Sequence, residues 1–277
     1  MRTRNAALVG ALCVGLSAVL TACGGGAEDP DAGTNGVGKL EPAAIQDKAR
    51  AAARGADAVH LSGNVVSQGR TYRIDMRLKK NGGTGRVSSS AASSFELLRV
   101  GDDLYLKAPA GFWAKGSTPA PSKAPAAGAT AKPDAAAAAG KLDDKYVKVP
   151  GDDPAYQQFR GFTDKDVLLD GLLALHGTLA RGDHGTVGGV RTIRVAGAKG
   201  GGGTMDVSLT GTPYPVRVQR AGGAGQLELD GWGKDFALAV PDKNQTVDYG
   251  KQLRIPSGGT LPSSGAGSSG EGANPGT

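Results

Sequence analysis

Alternation of apolar and charged residues is the feature that most constrains the fold of this chain. The clearest case lies between positions 72 and 79, where the apolar members are Tyr72, Ile74, Met76 and Leu78 and the charged members are Arg73, Asp75, Arg77 and Lys79. Successive side chains of a strand point to opposite faces, so this period of two predicts a strand with one apolar face and one charged face. The sheet that contains it has one buried face and one face in water.

The same period recurs along the chain between turn signals. Asn81-Gly82-Gly83 and Gly101-Asp102-Asp103 are typical of hairpin turns. The alternation predicts further strands at 95–100, 104–108, 145–149, 190–196, 205–210, 214–220, 226–230 and 236–240, and one that ends at Phe112-Trp113. In total about ten strands are predicted, which form an antiparallel meander.

Two segments have helical spacing instead. Glu41-Pro42 suits a helix start, Ile45 and Ala49 share one face of the segment that follows, and Gly55 is expected to end it. Thr163-Asp164-Lys165-Asp166 resembles a capping box, and the apolar residues after it are Val167, Leu168, Leu172, Leu173 and Leu175. A face this apolar is expected to lie against the sheet or over the mouth of a cavity.

The N-terminal residues have the composition of a secretory signal. Arg2 and Arg4 precede an apolar run from Ala6 to Leu20, which at about 15 residues is shorter than a membrane-spanning helix. Leu20-Thr21-Ala22-Cys23 resembles the lipobox of bacterial lipoproteins, whose cysteine is diacylated and becomes the new N-terminus. Two acyl chains hold a protein on a membrane for long times. We therefore predict a signal peptide over 1–22, acylation of Cys23 and attachment to the extracytoplasmic face of the cell membrane; the alternative is a plain secretory signal with an incidental cysteine.

Composition divides the rest of the chain. Residues 23–39 are rich in glycine and have no apolar period, which predicts a flexible tether. Residues 114–140 are mostly Ala, Pro, Gly, Ser and Lys, which predicts a disordered insertion in a surface loop, with an interdomain linker as the alternative. Residues 250–277 have the composition of a disordered tail, so a single domain is predicted over 40–249.

Charge and cysteine usage exclude two classes of protein. The net charge is +6, but the lysines and arginines are scattered and do not alternate with aromatic residues, so no nucleic-acid partner is predicted. Cys13 leaves with the signal peptide and Cys23 carries the anchor, so no internal disulfide is expected. The fold must therefore be held by packing alone.

Enzyme motifs do not point to an activity. The chain lacks the Gly-x-Ser-x-Gly, P-loop and His-Glu-x-x-His patterns. His176, Asp183 and His184 lack the spacing of metal ligands. The carboxylate pairs Asp102-Asp103 and Asp152-Asp153 adjoin Gly or Pro and are explained as turn residues. The sequence predicts no catalytic residue, cofactor or metal site.

Large apolar side chains occur near the predicted strand ends. Trp232 lies between two glycines, and Trp113 follows Gly111-Phe112. These aromatic residues either plug the ends of a half-barrel core or line the mouth of an apolar pocket. The candidate cavity-lining residues are Ile74, Met76, Leu78, Leu97, Leu104, Leu106, Trp113, Leu168, Leu172, Leu229, Trp232 and Phe236.

A series of short motifs, in this order, resembles a known family. The series consists of the lipobox, an Ala-rich helix, His60-Leu61-Ser62-Gly63, Leu104-Tyr105-Leu106-Lys107, Tyr146-Val147-Lys148-Val149, Tyr214-Pro215-Val216-Arg217-Val218 and Asp230-Gly231-Trp232-Gly233. It is similar to actinobacterial lipoproteins related to the LppX/LprG lipid carriers, and it covers roughly residues 40–249. The resemblance implies a LolA/LolB-like α+β fold, in which a strongly curved antiparallel sheet, a half-barrel, carries helices on its concave face and encloses a cavity for acyl chains.

The residues and the resemblance lead to one functional hypothesis. A membrane-anchored protein with an apolar inner face is expected to bind an acyl chain of a lipid, glycolipid or lipoprotein, and to transport or chaperone it across the cell envelope. The alternative is a non-carrier interaction or sensor lipoprotein whose core is simply packed. The volume of the cavity separates the two hypotheses.

Overall fold

The alternating segments form strands of a single sheet. In the computed structural model, the described residues are 29–67, 69–89, 94–116 and 133–248. The strands are β1 (Ala58–Ser67), β2 (Arg70–Lys79), β3 (Gly82–Ser88), β4 (Ser94–Val100), β5 (Asp103–Lys107), β6 (Tyr146–Val149), β7 (Leu179–Val187), β8 (Val190–Gly197), β9 (Thr204–Ser208), β10 (Pro215–Gln219), β11 (Gly225–Asp230) and β12 (Thr246–Asp248).

In the described part of the chain, the sheet has twelve strands in the order β12-β6-β5-β4-β3-β2-β1-β11-β10-β9-β8-β7. All neighbouring pairs are antiparallel except β12 and β6, which are parallel. Hairpins build one half from β1 to β5 and the other from β7 to β11, and β1 pairs with β11 where the halves meet. The predicted curved antiparallel sheet with helices is therefore confirmed, with twelve strands where about ten were expected.

Among the described residues, five α-helices pack against one face of this sheet, which we call the inner face. They are α1 (Pro42–Gly55), α2 (Ala110–Gly116), α3 (Pro133–Lys141), α4 (Pro154–Thr163) and α5 (Lys165–Leu172). α1 contacts β7, β8 and β10, α4 contacts β3 and β4, and α5 contacts both α1 and α4. As the helical spacing predicted, Ile45 and Ala49 of α1 are fully buried in the core.

The strand register aligns apolar residues into rows across the inner face. One row runs from β6 to β11 through Val147, Leu106, Leu97, Gly85, Met76, Leu61 and Leu229. The next row runs from β4 to β8 through Phe95, Val87, Ile74, Gly63, Leu227, Val218, Met205 and Val195. Neither row contains a polar side chain, so the helices cover an apolar surface.

Two glycines of β3 allow close packing on the inner face. A Cβ atom at Gly85 would lie 2.5 Å from Sδ of Met76, and one at Gly83 would lie 3.2 Å from the carbonyl oxygen of Thr163, the last residue of α4. The first distance is shorter than packed Cβ atoms show, and the second is tighter than most of them. Gly85 therefore makes room for the side chain of Met76, and Gly83 lets the C-terminal end of α4 lie on the sheet.

The opposite, outer face carries a row of alternating charge, which we call the outer charge row. From β5 to β8 its directly paired residues are Lys107, Glu96, Arg86, Asp75, Ser62, Glu228, Arg217, Asp206 and Arg194. Asp206 is only 4% exposed and accepts from Nε of Arg217 (2.7 Å) and Nε of Arg194 (2.8 Å). Opposite charges on neighbouring strands stabilise their pairing, so the row favours the observed register.

Two predicted strands are wrong. Residues 236–240 form no strand, because the positions on either side of β11 are already taken by β1 and β10. The alternation there reflects partial burial instead: Nζ of Lys79 donates to the carbonyl oxygen of Phe236 (2.6 Å), and Leu238 lies beside Gly82. Phe112 and Trp113 lie in α2, where their rings pack edge to face at 5.3 Å.

The described part of the predicted tether is ordered by contacts with the sheet. Val37 belongs to the core, and Asn35 is bonded to the loop after β9, which corrects the prediction of a flexible segment up to residue 39. Glycine-rich composition indicated flexibility, but specific side-chain bonds hold residues 29–39. Residues 23–28 lie outside the described residues.

The ends of the predicted disordered insertion also differ from expectation. α2 and α3 form its two ends and pack against each other, with Ala139 buried in the core. The side chain of Asp143 accepts from the backbone nitrogen of Ala110 (2.7 Å), which joins the two ends. Residues 117–132, like the predicted tail at 250–277, lie outside the described residues.

Candidate functional site

The predicted cavity-lining residues are brought together, but as a packed core. Seven lie on the inner face of the sheet and are less than a tenth exposed: Ile74, Met76, Leu78, Leu97, Leu104, Leu106 and Leu229. Trp113 of α2 and Leu168 of α5 are buried against them, and Leu172 is partly buried at the end of α5. The helices therefore contact the residues that were expected to face a cavity.

Sequence reasoning missed α4, a helix that contributes three aromatic side chains to the core. α4 places Tyr156, Phe159 and Phe162 in the core, and the ring centroid of Phe159 lies 5.8 Å from that of Phe95 on β4. Asp153 caps this helix, because its side chain accepts from the backbone nitrogen of Ala155 (2.8 Å). The Asp-Pro sequence at 153–154 is a helix-start signal, which we interpreted only as a turn.

A buried arginine joins α4 to the sheet. Arg99 of β4 points to the inner face, where Nε donates to Oγ1 of Thr163 (3.1 Å) and Nη2 donates to the carbonyl oxygen of the same residue (2.9 Å). Nη1 donates to the carbonyl oxygen of Gly101 (2.8 Å). A cation at a helix C-terminus is favoured by the helix dipole. Arg99 thus anchors the C-terminal end of α4.

Polar contacts join α5 to α1. Nζ of Lys165, which is buried at the start of α5, donates to the carbonyl oxygen of Arg54 (3.1 Å) at the end of α1. Arg54 in turn donates to Asp170 on the next turn of α5 (2.7 Å). The described contacts of α5 with the core are apolar, through residues such as Leu168 and Leu169. α1 and α5 therefore form one helical unit.

Two of the candidate residues lie away from the centre of the inner face. Trp232 is half-buried and stacks on Tyr214 with centroids 4.8 Å apart and planes 3° apart, while its Nε1 donates to the carbonyl oxygen of Pro215 (3.1 Å). Phe236 borders a depression of about 290 Å³ on the outer side, together with His60 and Arg77. Trp232 packs against the edge of the core at the sheet end, whereas Phe236 lies on the outer side.

A second depression also lies on the outer face, over β2, β3 and β4. It has a volume of about 390 Å³, and its lining side chains are polar or charged: Arg73, Asp75, Thr84, Arg86, Ser88 and Glu96. Arg86 and Glu96 form an ion pair within it. These two depressions are suited to polar molecules and not to an acyl chain.

The histidines of the chain do not converge on a common site. Nε2 of His184 lies 3.0 Å from Oδ1 of Asp31, and the two ring nitrogens of His60 lie 3.0 Å from Asp230 and 3.1 Å from Asp75. His176 lies on the surface after α5. Within the described ranges, no three His, Cys, Asp or Glu side chains are grouped so that they could hold a metal ion.

The predicted acylation site, Cys23, lies outside the described residues. Among the helices that the structure describes, none is both long enough and apolar enough to cross a bilayer.

Comparison with solved structures finds mycobacterial lipoproteins. The chain is similar to the crystal structure of LprF from Mycobacterium bovis, with 14% identity, a TM-score of 0.47, and coverage of 72% of this chain and 96% of that chain. It is also similar to the lipoprotein LppX from Mycobacterium tuberculosis, with 14% identity, a TM-score of 0.42, and coverage of 72% and 100%. No family model and no curated protein matches the chain. The likeness is thus to the same group of lipoproteins that the sequence motifs resemble.

Proposed function

We propose that this protein is a membrane-anchored lipoprotein that holds an acyl chain of a lipid, glycolipid or lipoprotein between its sheet and its helices, and carries or chaperones it across the cell envelope. The observation that carries the proposal is the pair of apolar rows on the inner face. At about 4.8 Å between strands, the row from β4 to β8 spans about 34 Å, which is longer than a fatty acyl chain. An acyl chain needs apolar surface and little polar recognition.

The ligand must separate helices from the sheet, because the inner side chains are packed. A palmitoyl-sized chain gains about 12 kcal/mol relative to water when it is buried, at about 0.8 kcal/mol per methylene. Lifting the α1–α5 unit exposes Leu168, Leu169 and Leu173 together with Ile45 of α1, at about 1.5–3 kcal/mol each, or about 6–12 kcal/mol in all. The acyl chain can therefore replace the contacts that the unit loses.

The polar contacts indicate which helices move. Arg99 holds α4 on β4, whereas α5 is bonded to α1 and touches the core through apolar side chains. Apolar contacts are not directional, so an acyl chain substitutes for them without leaving a buried polar group unpaired. The acyl chain accordingly lies beneath the α1–α5 unit, next to Met76 and Leu229.

Acyl binding is tested with the secreted chain lacking Cys23, by native mass spectrometry and by uptake of a fluorescent fatty acid. One acyl chain per protein is expected. Leu172→Lys places a charge at the partly buried end of α5 and should abolish uptake. Val167→Lys is the matched control on the same helix, because Val167 is 52% exposed, and it should bind like the parent. Circular dichroism establishes that both variants fold.

The second candidate is a non-carrier interaction or sensor lipoprotein of the cell envelope. The packing of Phe159 and Leu169, each 1% exposed, favours it, because a carrier core must open and a sensor core need not. The same experiment separates the two. If the parent chain neither retains lipid nor takes up the fatty acid, the carrier function is contradicted and the packed-core function stands.

A further inference from the structure

Residues 29–39, which we call the anchor segment, are bonded to one end of the sheet. The backbone nitrogen of Asn35 donates to the carbonyl oxygen of Leu209 (2.9 Å). Nδ2 of Asn35 donates to the carbonyl oxygens of Ser208 (3.0 Å), the last residue of β9, and of Gly211 (2.9 Å), in the loop before β10. These bonds fix the middle of the segment on the end of the sheet where β9 ends and β10 begins.

Further contacts fix both ends of the anchor segment. Arg191 of β8 donates to the carbonyl oxygen of Pro30 (2.6 Å), and Arg181 of β7 donates to that of Gly38 (3.0 Å). Asp31 is nearly buried beside His184 of β7, and a Cβ atom at Gly38 would collide with the Asp31 carboxylate. The segment therefore has one defined path, and the chain leaves the domain at Asp29, beside the start of β8.

An aromatic pair lies at the same end of the sheet. Ser208, whose carbonyl oxygen accepts a hydrogen bond from Asn35, also donates from its backbone nitrogen to the carbonyl oxygen of Tyr214 (2.8 Å). The ring of Tyr214 stacks on that of Trp232. The backbone nitrogen of Gly233 donates to the carbonyl oxygen of Ala58, the first residue of β1 (2.9 Å). We call the residues 210–214 and 231–234 the anchor rim.

The distance between the anchor rim and Cys23 is limited by the chain. Five residues separate Cys23 from Asp29. At no more than about 3.6 Å per residue, even a fully extended chain places the acylated cysteine within about 22 Å of Asp29. A tether this short, joined to a bonded anchor segment, cannot let the domain turn freely above the bilayer.

We propose that the anchor rim faces the membrane and contacts the lipid headgroups through Tyr214 and Trp232. This inference rests on the acylation of Cys23 in the proposed function. Tyr and Trp combine an apolar ring with a polar group, and they prefer the depth of the headgroups. Exposed lysines at the same end, Lys80 and Lys234, suit an anionic headgroup. The occupant of this surface is therefore a phospholipid bilayer.

This orientation also places the proposed acyl path at the bilayer. α1 ends at Gly55, three residues before Ala58, and its last carbonyls accept Lys165 from the start of α5. Since Ala58 is bonded to Gly233 of the anchor rim, the junction of α1 and α5 lies at the membrane-facing end. A lipid could then pass between the membrane and the inner face without crossing water.

The orientation is tested with the full acylated protein, purified from membranes and reconstituted into phosphatidylcholine–phosphatidylglycerol vesicles that contain brominated lipid. The chain has two tryptophans, and Trp113 is buried in the core beside α3. Bromine should quench roughly half of the tryptophan emission, from an interfacial Trp232. The quenched part should disappear in Trp232→Phe, the control that retains only Trp113. A flexible Gly/Ser insertion between Ala27 and Glu28 should reduce the quenching.

The possible results separate the inference from its premise. Quenching that is lost in Trp232→Phe and weakened by the longer tether supports the orientation. Vesicle-bound protein without quenching, or with equal quenching in Trp232→Phe, overturns the orientation and leaves the acylation of Cys23 uncontradicted. Protein that does not partition into vesicles overturns both. Acyl binding is measured separately on the secreted chain, so its failure does not affect this result.

Discussion

At the scale of single residues, Arg99 is the polar group on which the position of α4 depends. Arg99 is 5% exposed, and its guanidinium donates hydrogen bonds to Thr163 and Gly101. Arg99→Met removes these bonds and leaves the buried carbonyl oxygen of Thr163 without its Arg99 donor, at about 1–3 kcal/mol. We expect the free energy of unfolding, measured in urea, to fall by about 2–4 kcal/mol.

Arg86 provides the matched control for Arg99. It lies on the neighbouring strand and pairs with Glu96 on the outer face, where water screens the pair. Arg86→Met should cost no more than about 1 kcal/mol. Equal losses in the two variants would contradict the anchoring role of Arg99.

The phenol of Tyr105 makes the stability of the folded state depend on pH. Burial, and then the nearby charge of Asp103, raise the pKa of Tyr105 above the ordinary value of 10.0. A raised pKa means that the folded state holds the proton more tightly, so this stabilising contribution is complete below pH 10 and is lost as the pH rises through the folded-state pKa. Ultraviolet titration should show that tyrosinate absorbance above pH 10 decreases in Tyr105→Phe; an unchanged titration curve would contradict the assignment.

At the scale of elements, the outer charge row is expected to stabilise pairing most where it is buried. Asp206→Asn removes the charge between Arg194 and Arg217, which are themselves partly exposed. We expect a loss of about 1–3 kcal/mol in urea unfolding, less than for a fully buried ion pair. Glu228→Gln changes the exposed neighbour in the same row and should stay within about 0.5 kcal/mol. A larger loss for Glu228→Gln than for Asp206→Asn would show that burial does not decide the contribution.

Elements with one clearly buried face could be predicted from their period. α1 was predicted from Ile45 and Ala49, and β2 from the alternation that begins at Tyr72. β7 could not be predicted, because it is an edge strand exposed along most of its length and its sequence includes Gly182 and Gly185. The period of the apolar residues indicates which side chains are buried. A prediction from it fails where an element has no buried face, or where residues are buried without a partner strand, as at 236–240.

At the scale of the whole molecule, the composition of the inner face could be predicted, but its closure could not. Phe95 and Leu97 of β4 follow from alternation, whereas the helix that covers β3 and β4, α4, has an apolar face shorter than three turns. The anchor segment was missed for a different reason. It is held by single contacts of Asn35 and Gly38 with residues far away in sequence, and such contacts produce no repeating pattern of apolar residues.

The pairing of β1 with β11 has a consequence for how the protein folds. His60 and Asp230 face each other across it, yet they are 170 positions apart in the chain. Contacts of such high sequence separation form late, and β1 presents an unpaired edge until the eleventh strand arrives. During synthesis, the half-sheet from β1 to β6 emerges first with its apolar face uncovered. The interval between the emergence of His60 and that of Asp230 is therefore when the chain is most prone to aggregate, and when a holding chaperone would be of most use.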